Sequence, residues 1–200
     1  ATFFYLNNLN LKNGSHIYFI GSKNLYKTLI ENTKNLIISG IDDNEKTLNT
    51  FSLNNDEYSS LLSDIKNNKY SAVVIGWDDN FNTYKLAKAS TILKYQKDCH
   101  FISSNSDSNS PFSPEIIFPA SGSIIAAIEN SSGRKSICAG KPSIELGLNI
   151  ISKFNLNPDK TCMIGDRIES DLYFGKRAGF KTCLVLSGVT KIKMINNLSI

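Results

Sequence analysis

The side chains best suited to chemistry lie in the last third of the sequence: Lys141, Asp166 and Asp171. Gly140-Lys141-Pro142-Ser143 closes one short apolar run and opens an amphipathic one. Ile164-Gly165-Asp166-Arg167 closes the next, and Asp171 follows. In an open parallel sheet, ligands bind outside the carboxyl ends of the strands, so residues at successive strand ends can face one crevice. There Asp166 offers hard oxygen to Mg²⁺, which takes one or two carboxylates together with water and phosphate oxygens. Lys141 offers a point charge for phosphate oxygens or for a carboxylate nucleophile. Asp171, near the start of the following helix, is placed to hold a metal-bound water or to hold Lys141. Gly165 lets the backbone come close beside the ion. Alone, G-K-P-S reads as a strand-to-helix turn with a serine N-cap, and G-D-R as a turn after a strand. Their order and spacing together point to a site.

The elements that must position these residues alternate along the chain. Strands are expected at His16–Ile20, Asn35–Ser39, Ser71–Trp77, His100–Ser104, Lys135–Ala139, Thr161–Ile164 and Thr182–Leu186. These runs are β-branched or aromatic and end at turn-forming residues. Helices are expected at Lys23–Glu31, Glu57–Asn67, Thr83–Gln96, Ser123–Asn130, Ser143–Phe154 and Ser170–Ala178. In the helix after Ser143, Ile144, Leu148 and Ile151 form one core-facing stripe. Alternating strands and helices imply parallel sheets with crossover helices, an α/β fold. Residues 103–114 are polar and carry prolines, so they read as a loop. Residues 131–134 mark a domain boundary.

Composition excludes several classes. Twenty-two basic and 18 acidic residues leave a net charge of +4, with the basic residues scattered. The stretches holding Lys23, Lys27 and Lys34, and Lys85, Lys88, Lys94 and Lys97, read as solvated helix faces and not as a nucleic-acid patch. Cys99, Cys138, Cys162 and Cys183 form no C-x-x-C pair, and His16 and His100 stand apart, which argues against zinc. Cys138, Cys162 and Cys183 sit in apolar strand-like runs, where a reduced cysteine acts as a small hydrophobe. A reducing, cytoplasmic compartment follows. No apolar run reaches the length of a membrane span, and no signal peptide is expected.

G-K-P-S, then M-I-G-D-R-I-E-S-D-L-Y-F-G, then T-C-L-V-L-S-G-V-T resembles the C-terminal core of the p-nitrophenylphosphatase-like branch of the haloacid dehalogenase superfamily. That group includes phosphoglycolate phosphatases and pyridoxal phosphate phosphatases. The resemblance is dense from Arg134 to Thr190 and extends backwards through Ala72–Asp78, Phe81, Ser104–Asp107 and Ser121-Gly122-Ser123. It implies a Rossmann-like core, of which only the C-terminal part is present, with an inserted α/β cap domain. Residues 1–11 would be the core helix leading into the cap, 12–133 the cap, and 134–200 the C-terminal part of the core. It also implies Mg²⁺-dependent hydrolysis of a small phosphorylated metabolite through an aspartyl-phosphate. Lys141 then matches the family lysine, Asp166 the metal ligand and Asp171 the second acidic residue of the same motif. A phosphomutase or dehalogenase on the same core is a further possibility.

The family also carries a D-x-D-G strand end and a T-N-N-S strand end, and neither is found in these 200 residues. The expectation is that they belong to a longer enzyme whose nucleophile lies outside this segment; the alternative is a non-catalytic binding or dimerisation module. In the family a cap loop near Ser106–Pro114 reaches the substrate. Here it carries Asp107, Asn109 and Phe112, with Pro111 and Pro114 stiffening it, and has no histidine or arginine for an anionic substrate tail. Trp77 closes a predicted strand and reads either as an anchor for a homodimer through the cap or as a core residue.

Overall fold

The computed structural model describes residues 1–33, 35–48, 56–110 and 115–195. Its centre is an all-parallel five-stranded sheet in the order β2-β1-β3-β4-β7. The strands are β1 (His16–Ile20), β2 (Ile37–Ser39), β3 (Tyr70–Ile75), β4 (His100–Ser103) and β7 (Ile137–Cys138). Between β4 and β7 the chain forms a small antiparallel pair, β5 (Asn109–Ser110) with β6 (Phe118–Pro119). Its first strand lies within residues 103–114, the stretch expected to be irregular. A separate parallel pair, β8 (Cys162–Gly165) and β9 (Lys181–Leu184), carries the last third. The α/β class expected from the alternation is the class observed. Helices α1 (Thr2–Asn8), α2 (Lys23–Asn32), α3 (Asp56–Asn67), α4 (Thr83–Tyr95), α5 (Ser121–Ser132), α6 (Ile144–Phe154), α7 (Tyr173–Arg177) and α8 (Ile192–Ile195) complete the chain.

The large sheet is buried on both faces, as parallel sheets are. Period-two alternation divides its residues between two cores. Tyr18, Ile20, Val73 and Ile75 point to one side, where α3, α4 and α5 add Leu61, Ile65, Ile92, Leu93 and Ile128. Ile17, Phe19, Ala72 and Val74 point to the other, meeting Leu6 of α1 and Leu29 of α2. Local signals set the helix ends. The Ser22 hydroxyl accepts the Leu25 N–H at 3.3 Å, and the Asn82 side chain accepts the Lys85 N–H at 2.9 Å. Each is an N-cap. Gly133, at φ +70°, ends α5 in the left-handed conformation.

Three expectations about these elements are corrected. Leu148 is 56% exposed, and α6 instead turns Leu146, Gly147, Ile150 and Ile151 inward against Phe174 and Ala178. Lys85 and Lys88 do not lie on a solvated face. Both are buried, paired with Asp78 and with Asp43 and Asp64 respectively. Lys34 lies outside the described residues. Cys162 and Cys183 are exposed, because the β8–β9 pair has no further strand or helix over that side among the described residues. Ile164 beside them is exposed as well.

β7 lies beyond the residue 131–134 joint, yet it hydrogen-bonds to β4 in the large sheet. The G-K-P-S turn therefore leaves one sheet and enters the helix that packs beside the other.

Candidate active site

The strand order 2-1-3-4-7 reverses direction between β1 and β3. Such a switch point opens a crevice at the carboxyl ends of the strands. Trp77 follows β3, Asn105 follows β4 and Lys141 follows β7, so all three stand along that edge. Asp166 follows β8 and faces the same edge from the smaller sheet.

Lys141 is placed by its glycine neighbour. A Cβ on Gly140 would lie 2.2 Å from the Ser104 carbonyl oxygen, so only glycine lets the chain pass there. The Pro142 carbonyl is held at 3.2 Å by Arg177. Ser143 takes the N-cap position of α6, but its hydroxyl donates to the Glu145 carboxylate and makes no bond to a helix N–H. The serine-cap expectation is corrected accordingly.

Lys141 reaches Asp171, with Nζ 2.7 Å from Oδ1. The other oxygen of Asp171 accepts the backbone N–H groups of Asp166 and Arg167, both at 3.1 Å. Asp171 is buried, in a single π turn (Ile168–Leu172) that precedes α7, whereas the Lys141 side chain is 45% exposed. Burial alone would raise the Asp171 carboxyl. The Lys141 hydrogen bond, the Arg167 N–H, the lysine charge and the Asp166 N–H outweigh it and hold the group below its ordinary value. The tight turn explains Gly165: a Cβ there would lie 2.3 Å from the Cβ of Asp171. That glycine makes room for the aspartate.

Asp166 is half-buried, and its Oδ2 accepts the Val189 N–H at 2.7 Å. Gly188 makes this possible, since a Cβ there would fall 1.9 Å from the same oxygen. The three sequence-predicted residues therefore meet. Asp171 bonds both to Lys141 and to the turn that carries Asp166.

The loop after β4 joins the same place. Asn105 closes the loop on itself by accepting the Asp107 N–H at 3.1 Å, and it donates to Ser121 at 3.2 Å. The guanidinium of Arg167 donates to the Asn109 carbonyl at 3.1 Å and stands 3.8 Å from Asp107. Arg167 is the contact that sequence reasoning missed. Its place in the G-D-R motif was visible, but the partners, some 58 residues away, were not. A cavity of about 430 Å³ opens at this junction, lined by Trp77, Asp107, Asn109, Phe118, Asp166 and Arg167 among others. Trp77 is half-buried and belongs to its wall, with the indole ring 5.5 Å from Phe118. Phe112, Pro111 and Pro114 lie outside the described residues.

As a cation site the arrangement is partial. The Asp166 carboxylate is the hard-oxygen donor that Mg²⁺ favours. Among the described residues, however, no three acidic, histidine or cysteine side chains converge. The donors present fit one corner of a magnesium shell, with further ligands to come from phosphate, water or other residues.

Comparison with known proteins gives the class first. Residues 138–199 match the HAD-hydrolase-like family model. With the parallel fold and the G-K-P-S and G-D-R motifs, this marks that segment as similar to haloacid dehalogenase-like hydrolases. Within that class it is similar to named phosphatases. It is 30% identical to the chloroplastic phosphoglycolate phosphatase 1A of Arabidopsis thaliana over 196 residues, 96% of this chain and 51% of that protein. It is 38% identical to chronophin of Bos taurus over 122 residues, 61% of this chain and 41% of that protein. Its fold superposes on a thermostable NPPase from Geobacillus stearothermophilus with a TM-score of 0.73 and 27% identity, covering 96% of this chain and 64% of that one. The chain thus spans about half the length of the curated relatives it matches, or less.

Proposed function

We propose that these residues form the cap (12–133) and the C-terminal part of the core (134–200) of a Mg²⁺-dependent phosphatase acting on small phosphate monoesters. The observation that carries the reading is the hydrogen-bonded chain from Lys141 through Asp171 to the Asp166 turn, at the carboxyl ends of two parallel sheets. Asp166 would give a carboxylate oxygen to Mg²⁺, which, when bound, supplies charge neutralisation at the phosphoryl group. Lys141, still partly open to solvent, would pair with a phosphate oxygen or with the nucleophile. Asp171 would keep that ammonium charged and aimed.

In the full reaction an aspartate outside these residues forms a bond to phosphorus as the P–O bond to the alcohol breaks. A second aspartate gives the departing oxygen its proton. Water then releases phosphate and regenerates the carboxylate. The exposed Ile164 and the open outer edge of β8 support such a completion, because parallel pairs are ordinarily covered by further strands and helices.

A homodimer through the cap belongs to the same proposal. Since Trp77 lines its own chain's cavity, other cap residues would carry that contact. A reducing compartment such as the cytoplasm suits the four free cysteines. Among the described residues no helix is long and apolar enough to cross a membrane.

The test is turnover of p-nitrophenyl phosphate and phosphoglycolate by the full-length protein with and without Mg²⁺. Asp166→Asn is expected to remove most of the Mg²⁺-dependent rate; a variant as active as the parent would refute the role. The competing reading, a non-catalytic module, is favoured by the lack of any D-x-D in these 200 residues, and it predicts no turnover of either ester.

A further inference from the structure

The two histidines stand apart in sequence, yet both line one cavity at the far edge of the large sheet. His16 opens β1 and His100 opens β4, and the cavity, of about 450 Å³, lies at the amino ends of the strands. Lys12, Lys69 and Ser71 share its wall. The six residues of β3 put about 20 Å between this edge and the carboxyl ends that carry Trp77 and Asn105.

The polar groups here are donors that the fold does not use. Both histidines are half-buried, and among the described residues neither imidazole hydrogen-bonds to the protein. His16 meets the Tyr70 ring edge-on, with 6.2 Å between centres. Each imidazole keeps at least one N–H, whichever nitrogen carries it. Ser71 is skipped by the ladder: His16 pairs with Tyr70 and Ile17 with Ala72, and the pairing with β4 begins at Ala72. Such a bulge is rare between parallel strands, leaves its extra residue unpaired and recurs beside functional sites.

Charge at the cavity has one sign in excess. Lys12 makes no ion pair among the described residues. Lys69 meets Asp98, the one acidic residue of the lining, at 3.9 Å, with side chains 82% and 89% exposed. A pair so exposed holds the lysine weakly. A cation would face two ammonium groups, and among the described residues no three metal ligands converge. An anion would meet ammonium, imidazole and hydroxyl donors together. The strands that carry the two histidines flank β3, so they lie about 10 Å apart. Two linked phosphoryl groups, with acceptor oxygens on every side, span that distance better than one.

The geometry points to a second site, separate from the candidate active site, that binds a diphosphate group, free or carried by a nucleoside. This does not depend on the phosphatase reading. The test follows the imidazole resonances of the full-length protein by NMR, assigned with His16→Gln and His100→Gln. Sodium diphosphate is added without divalent metal, at constant pH and ionic strength. Both resonances are expected to shift and saturate. Lys12→Ala and Lys69→Ala should each weaken binding about tenfold, the loss of one charged hydrogen bond. Orthophosphate should bind at least about tenfold more weakly than diphosphate. ADP binding more tightly than free diphosphate would identify a nucleotide as the ligand; equal or weaker binding would identify diphosphate itself. Resonances that stay in place, or that move as far with sodium chloride, overturn the inference. So do orthophosphate binding as tight as that of diphosphate, and binding undiminished in both lysine variants. Shifts that vanish in Asp166→Asn overturn it too, because the anion would then sit in the candidate active site.

Discussion

Asp171 spends both carboxylate oxygens on its neighbours, one on Lys141 and the other on two backbone N–H groups of the Asp166 turn. On the phosphatase reading this makes it a positioning residue. Asp171→Asn keeps the shape but loses the charge that orients Lys141, and outer-shell losses of this kind cost about 10–100-fold in activity. The same substitution has a pH signature. The native carboxyl lies below its ordinary value: burial raises it, but the Lys141 and backbone hydrogen bonds outweigh that. Its contribution to stability is therefore complete above the unfolded-state value, about 3.9, and is lost as pH falls through the lower native one. Thermal melts of parent and Asp171→Asn should differ at neutral pH and converge in strong acid. A gap that persists at the lowest pH would remove the ion pair as its source.

At the scale of elements, α4 behaves unlike an ordinary amphipathic surface helix. Lys85 is 1% exposed and bonds Asp78 and Asn44; Lys88 bonds Asp43 and Asp64, and its ammonium lies 4.7 Å from the Tyr18 ring centre. These bonds tie the helix to the turn after β3 and to the 3-10 turn Ile41–Asp43. Breaking a buried pair by removing one partner costs about 3–5 kcal/mol, because the other charge is left uncompensated. Lys85→Ala should lose that much in urea denaturation, and Lys85→Met combined with Asp78→Leu should recover a good part of it. A Lys85→Ala loss under about 1 kcal/mol would mean that water reaches Asp78 and that the pair is not dry.

Across the whole molecule, Arg167 is a bridge between the carboxyl edges of the two sheets. It carries the Asp166 turn to the Asp107–Asn109 loop. Arg167→Ala should leave global stability within about 1 kcal/mol, the net worth of such a bond. It should, however, speed hydrogen exchange in residues 105–110, where the loop loses its tether. Unchanged exchange there would show that Asn105 and Ser121, joined at 3.2 Å, hold the loop unaided.

The sequence by itself determined most of the strands and helices and the chemistry-bearing motifs, but not the β5–β6 pair or the π turn at Ile168–Leu172. The continuous apolar runs of β1 and β3, the Ser22 and Asn82 caps, and the Lys141, Asp166 and Asp171 spacings are local properties, readable wherever a residue's neighbours in sequence are also its neighbours in space. Only the tertiary structure decided which sheet β7 joins, why Gly165 and Gly188 must be glycine, that Lys85 and Lys88 are buried, and that Trp77 and Arg167 line one cavity with Asp166. Each of those depends on partners far along the chain. Their identity is set by crossover connections and helix packing, and no local pattern encodes it.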